Sequence, residues 1–197
     1  MDPSFPDVSA DLDGWQLAEE TVETLFQAPG ARVRGATRRY EDERTREAVR
    51  EATDGRLDRE WRFVAATGLG FDPPLPPGAA SMVLPMVRRE AREAFARRLT
   101  DRGLADVTRR GEEQPRVGSG ARARLTRYGA IDPVEGDVPV TGWVCVWREG
   151  GDFFVVTGGH PEGPLADLLS LENADKRLKR TAANYREEFV DIVRSVT

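Results

Sequence analysis

Apolar and polar positions alternate along several short stretches of this chain and recur at helical spacing along two longer ones. From Trp15 to Tyr40, "WQLAEETVETLFQ" and "RVRGATRRY" read as two strands, with Val22, Thr24 and Phe26 alternating with Glu23 and Leu25. Pro29-Gly30 supplies the turn between them, proline presetting φ and glycine admitting positive φ. The polar run "EDERTREAVREATDG" predicts a short solvated helix or an extended hairpin loop, stopped at Asp54-Gly55. "REWRFVAATGLGF" returns to a period of two, with Trp61, Phe63 and Ala65 on one side and Arg62, Val64 and Ala66 on the other. Its end, "DPPLPPGA", carries four prolines and reads as a loop.

Helical spacing takes over in "MVLPMVRREAREAFARRLTDRGL". Ser81 is the expected N-cap, Pro85 falls near the first turn, and Val83, Val87, Ala91, Ala94, Phe95 and Leu99 form the apolar stripe. Gly103 stands where a left-handed C-terminal cap belongs. Strand patterns resume in "ADVTRRGEE" and "ARARLTRYGAI", separated by "QPRVGSG" and followed by the turn-rich "DPVEGDVP". Next, "GWVCVW" and "FFVVT" flank "REGGD", a hairpin with a glycine turn. Trp143, Cys145 and Trp147 share one face of the first strand, and Val144 and Val146 the other. Apolar residues on both faces predict a central strand covered on two sides. From Leu171 to Val196 the positions Leu171, Ala174, Leu178, Ala182, Tyr185, Phe189 and Ile192 predict one amphipathic helix, with Lys176, Arg177, Lys179 and Arg180 on its wet face. Short turns favour an antiparallel sheet, and two amphipathic helices need an apolar surface. The expected fold is therefore α+β, an antiparallel sheet covered by helices, with 1–13 a polar tail and 14–197 one domain including the helix 171–196.

Composition narrows the chemistry. The chain has 197 residues, 39% of them hydrophobic and 32% charged, enough for a single domain with a core. No apolar run approaches the ~18 residues of a membrane helix. The opening "MDPSFPDVSADLDG" carries acid where a signal peptide would carry base, so a cytoplasmic location is expected. One cysteine and one histidine cannot build a zinc site, and no EF-hand run, nucleophile elbow, P-loop or dinucleotide fingerprint occurs. No metal, cofactor or catalytic residue is expected. Cys145 reads as a small buried hydrophobe. His160, between Gly158-Gly159 and Pro161, is expected in a turn just past the strand end, where sites often form.

Charge is unevenly spread. Residues 1–80 carry 10 basic and 16 acidic side chains, 81–127 carry 12 and 6, and 128–197 carry 7 and 12. Arginine supplies the bases, lysine appearing only at Lys176 and Lys179, a composition that suggests a GC-rich genome. Arg88, Arg89, Arg92, Arg97, Arg98, Arg109 and Arg110 form a candidate patch for phosphate or an acidic partner.

The stretches "GWQLAEETVETLFQAPGARVRGATRRYE", "WRFVAATGLGFDP", "ARLTRYGAI" and "GWVCVWREGGDFFVVTGGHPE", with the long helix between them, resemble an uncharacterised haloarchaeal protein family. Their layout is similar to the PsbP-like α/β/α sandwich. The resemblance implies an assembly or binding module, and it implies export as a lipoprotein for many members, from which this chain departs in having no lipobox cysteine.

These readings converge on a non-enzymatic module that binds a protein or a small ligand. The ligand-binding candidates are Phe71 and Asp72, at the proline-rich loop, with His160 and Glu162. The alternative is electrostatic nucleic-acid binding through the arginine-rich segment 88–127. A homodimer, if formed, would use the C-terminal helix.

Overall fold

The computed structural model describes residues 3–28, 30–134 and 136–197. Seven antiparallel strands form one sheet: β1 (Trp15–Ala28), β2 (Ala31–Asp42), β3 (Phe63–Asp72), β4 (Ala105–Glu113), β5 (Arg124–Asp132), β6 (Val138–Glu149) and β7 (Asp152–Pro161). Their order is β1-β2-β3-β7-β6-β5-β4. Helix α1 (Glu43–Ala52) follows β2, α2 (Ala80–Asp101) carries the chain from the middle of the sheet to its far edge, and a meander then returns β7 to pair with β3. The short α3 (Leu165–Leu168) and the final α4 (Ala182–Ser195) complete the fold. Among the described residues no helix is long and apolar enough to cross a membrane.

The tryptophan hairpin is interior sheet, as its two apolar faces predict. Trp143, Cys145 and Trp147 pack under α4 with Val156, Phe189, Ile192 and Val193, while Val144 and Val146 pack under α2 with Phe95, Leu99 and Phe153. Two glycines let the helices come this close. A Cβ on Gly142 would lie 2.9 Å from Phe95, and one on Gly158 would lie 2.6 Å from Phe189. Phe189 in turn stacks on Trp143, ring centroids 6.2 Å apart. A third apolar cluster, of Ala48, Val49, Trp61, Val138, Leu165 and Leu178, joins α1 to α3 at one end of the sheet.

Several expectations need correcting. The segment 171–196 is not one helix. A 3-10 turn, Lys176–Lys179, begins at Asp175, and α4 starts afresh at Thr181, whose hydroxyl and backbone exchange hydrogen bonds with Asn184 in a capping box. The 1–13 stretch is not a free tail: Val8 pairs with Val196, and Asp7 and Thr197 exchange backbone hydrogen bonds. Helix α2 starts at Ala80 rather than on a Ser81 cap, and the Ser81 hydroxyl instead accepts from Arg148. In β1 a bulge falls between Thr24 and Phe26. The extra residue interrupts the alternation, so Leu25 and Phe26 both pack toward the α2 side. Pro29, half of the expected first turn, lies outside the described residues, as does Glu135 of the later one. The polar run after β2 is the expected short helix, yet Thr45, Ala48 and Val49 are buried rather than solvated.

On the α4 face, Arg62 ties these parts together. It is 3% exposed, is held by Asp42 and by Glu188 (2.5 Å), and lies between the rings of Trp15 (4.8 Å) and Tyr185 (4.5 Å). Asp42 also caps α1, accepting from the Thr45 backbone at 3.0 Å. Burial alone would push Glu188 up, but Arg62 and Arg180 bring it below the ordinary carboxylate value. Replacing Arg62 with Met strands the buried Asp42 carboxylate, while Glu188 keeps Arg180 at 2.7 Å, and urea unfolding is expected to show a loss of about 3 kcal/mol. A loss below about 1 kcal/mol would contradict this role for Arg62.

Candidate ligand-binding groove

Helix α2 makes its main contacts with β4, β5 and β6, and a narrow trough is left along the β1–β3 side of the same face. The floor there comes from alternate residues of adjacent strands. Thr21 faces Thr37 and Thr37 faces Thr67 in register, and the Thr37 and Thr67 hydroxyls hydrogen-bond at 2.8 Å. Thr157 of β7 joins this threonine row, and Ala65 lies beside it. The wall is α2, through Val87, Ala91, Ala94, Phe95, Arg98 and Arg102.

Three cavities follow one another along this trough and share walls. The first, about 130 Å³, is bounded by Leu25, Phe26, Leu69, Val87 and Val155, with Ala94 and Arg97 on the helix side. The second, about 250 Å³, shares Phe95, Arg98 and Thr157 with it and sits over the threonines. The third, about 340 Å³, shares Arg39, Phe63 and Arg102 with the second and is closed by Arg59, Glu60, Trp61 and Asp132. Along β3 the trough runs from Leu69 to beyond Phe63, roughly 20 Å at ~3.3 Å per residue. Charged side chains edge all three cavities: Glu90, Arg97 and Arg98 the first, Glu19, Glu23 and Arg98 the second, and Arg39, Arg59 and Arg102 the third.

The ionic end is ordered by pairs. Glu60 takes Arg39 on one oxygen and Arg102 on the other (2.9 Å), and Asp132 takes Arg59 (2.7 Å). The Arg102 guanidinium also lies 4.2 Å above the Phe63 ring. Burial pushes Glu60 up despite Arg102 and Arg39, and pushes Asp132 up despite Arg59. Burial likewise lowers Arg102, against the pull of Glu60. Higher up, Arg98 reaches from α2 to Glu23 of β1 at 3.3 Å. Both partners are about half exposed, so this tie across the trough contributes little and opens readily.

The sequence candidates do not assemble into one site. His160 is not in a turn: it is the penultimate residue of β7, paired with Thr141 and 4% exposed. It lies on the α4 face, where its Nε2 accepts from Trp143 Nε1 at 3.0 Å and its Nδ1–H donates to the Pro161 carbonyl at 2.7 Å. The glycines before it, which suggested a turn, are there to admit Phe189 and Phe63. Glu162 is exposed just after it. Phe71 and Asp72 stand at the opposite end of β3, since Phe63 pairs with Gly159 and Leu69 with Phe153. Phe71 is buried against Phe153, at 5.2 Å between ring centroids, and Asp72 is exposed. A separate hollow of about 520 Å³ beside Phe71 is bounded by Pro3, Pro6, Gly68, Gly70 and Leu75, with Asp152 its one ionisable side chain among the described residues.

The arginine-rich segment also divides. Arg92 and Arg109 gather with Arg124 on Glu112, Arg89 pairs with Glu90, and Arg97 and Arg98 border the groove. Arg88 is half-buried, its Nε without an acceptor. Arg110 packs over Gly129, on the other face of the sheet. Cys145 is fully buried, its thiol pushed up to about 12 by burial, and is chemically inert at neutral pH. Among the described residues no group of three His, Cys, Asp or Glu side chains is placed to hold a metal ion.

An α+β domain with a trough on one face of an antiparallel sheet is what these residues build. The chain belongs to the family described as a domain of unknown function, DUF6517, whose model matches residues 2–197. No curated protein matches it.

Sequence reasoning passed over the groove because Thr21, Thr37, Thr67 and Thr157 look like ordinary strand residues. The available signal was that Thr37, Thr67 and Thr157 fall in phase with the buried apolar residues of their strands, such as Val33, Leu69 and Phe153. His160 gives a separate test. Burial lowers its pKa from the ordinary 6.5 to about 4, against the Pro161 hydrogen bond and with Arg62 and Arg180 adding to the depression. The unfolded chain then binds more protons between those values, so stability falls as pH drops through that window, by on the order of 3 kcal/mol in total. Urea midpoints measured from pH 6.5 to 5 are expected to fall more steeply for the native chain than for His160→Gln. Equal slopes would contradict the buried neutral imidazole.

Proposed function

We propose that this protein is a binding module that houses one elongated small molecule in the groove beside α2. The observation that carries this reading is the continuity of the trough: three cavities share wall residues along a single sheet face. Pre-formed concavity with a few convergent polar groups is the usual form of a ligand site. No nucleophile–base pair accompanies it, because the single histidine lies on the opposite face. Nucleic-acid binding through 88–127 draws less support, because its arginines are tied to Glu112, Glu90 and Glu23 and lie on both faces of the sheet. A PsbP-like relation belongs to the same proposal, supported by helices on both sides of the antiparallel sheet. The haloarchaeal origin and a cytoplasmic setting are proposals carried by the sequence alone.

The test is fluorescence titration with N-phenyl-1-naphthylamine, a neutral apolar probe. One equivalent is expected to bind with a blue-shifted emission. Ala94→Trp, which fills the apolar end from a half-buried helix position, is expected to weaken it by about tenfold or more. Absence of binding, or full binding by the filled variant, would contradict the proposal.

A further inference from the structure

We infer that the ligand of this groove is an amphipathic anion, its apolar body lying between Leu25, Phe26 and Val87 and its acidic head at Arg39, Arg59 and Arg102. This rests on the groove being a ligand site and adds which chemistry it selects. The first support is charge. Three guanidiniums bound the terminal cavity with only Glu60 and Asp132 among them, an excess of one positive charge. The second is hydrogen-bond accounting. The side-chain nitrogens on that wall that lack a partner, Arg39 Nε, Arg59 Nε and Trp61 Nε1, are all donors. All three are buried, so an occupant reaches them only where the wall yields, and a wall whose spare groups are donors offers a cation nothing to bind. A cationic ligand would find the reverse of what it needs.

Leu25, Phe26, Leu69 and Val87 stand at one end of the trough, and the Arg39, Arg59 and Arg102 guanidiniums at the other. Helix α2 passes alongside β3, so Val87 and Ala91 stand by Leu69 and Arg102 stands by Phe63. The apolar end is bordered by Arg97, Arg98 and Glu90 only at its rim. The threonine row between the ends offers hydroxyls and methyls together, which suits a chain passing over it without fixing it. Glu60 holds Arg39 on one oxygen and Arg102 on the other, so both arrive at the head position already oriented. The arrangement selects by head charge and tolerates variation in the tail.

Three ligands sharing one chain length distinguish the readings: dodecanoate, dodecanol and dodecylamine, kept below micellar concentrations and followed by calorimetry and by displacement of the neutral probe. Dodecanoate is expected to bind about tenfold or more tighter than dodecanol, and dodecylamine weakest. Arg102→Gln, at an exposed helix end, and Arg39→Gln are each expected to erase most of the carboxylate's advantage while leaving dodecanol unchanged. Circular dichroism verifies that both variants are folded. Equal binding of dodecanoate and dodecanol, unaffected by either variant, would overturn the anionic head while leaving the groove a ligand site. A preference for dodecylamine would overturn it as well. If none of the three binds and the neutral probe does not bind either, the groove reading itself falls.

Discussion

The seat of Phe95 and Leu99 on Gly142 governs the shape of everything else on that face. A side chain at this position would meet both rings and methyls within about 3 Å, so only glycine lets α2 sink onto β6. Seven strands span roughly 30 Å across the sheet. A helix with its side chains is only about 10–12 Å wide. One helix seated on β6 therefore reaches β2 and β3 only with its side chains, and a trough toward β1 is the geometric consequence. Nothing about the groove requires special residues to open it. It is what remains when a wide sheet carries one helix per face.

The two faces answer this shortage differently. On the α4 side, the uncovered strands are sealed by the segment around Ser4 and Pro6 lying across Gly68, by the Trp15 ring, and by the buried Arg62 with its two carboxylates. Packing and charge are both satisfied there, and the only histidine and the only cysteine of the chain are locked into that side without chemical freedom. On the α2 side the β1 bulge turns Leu25 and Phe26 inward, but they only narrow the trough. Across the trough the Arg98–Glu23 tie is half-exposed and separable, while Glu60 and Asp132 hold their arginines at more buried positions. One face is closed by packing and paired charge, and the other keeps a trough.

How much of this was readable beforehand follows from which interactions are local. Strand alternation and the glycine-turn hairpin are local, and β2, β3, β6 and β7 lie where their patterns place them. The break before α4 was also local, since Thr181 and Asn184 carry capping chemistry, but a continuous apolar stripe concealed it. His160 was misplaced because two glycines and a proline look like a turn in sequence. In the fold, Gly158 and Gly159 make room for Phe189 and Phe63, aromatic rings from distant parts of the chain. The groove was not readable at all from single residues. It depends on the width of the sheet, on the crossover that takes α2 to the far edge, and on the register that aligns Thr21, Thr37 and Thr67.

Nuclear magnetic resonance gives the most direct test of the central claim, that the trough along the β1–β3 side of the α2 face receives the ligand. Backbone and methyl shifts would be recorded as dodecanoate is added to the full chain. The account predicts saturable changes concentrated at Thr37, Ala65, Thr67, Ala94, Arg98 and Thr157, with Trp143, Cys145 and Phe189 on the opposite face unmoved. Changes centred instead on the hollow beside Phe71 and Gly70, or spread evenly over the surface, would contradict it.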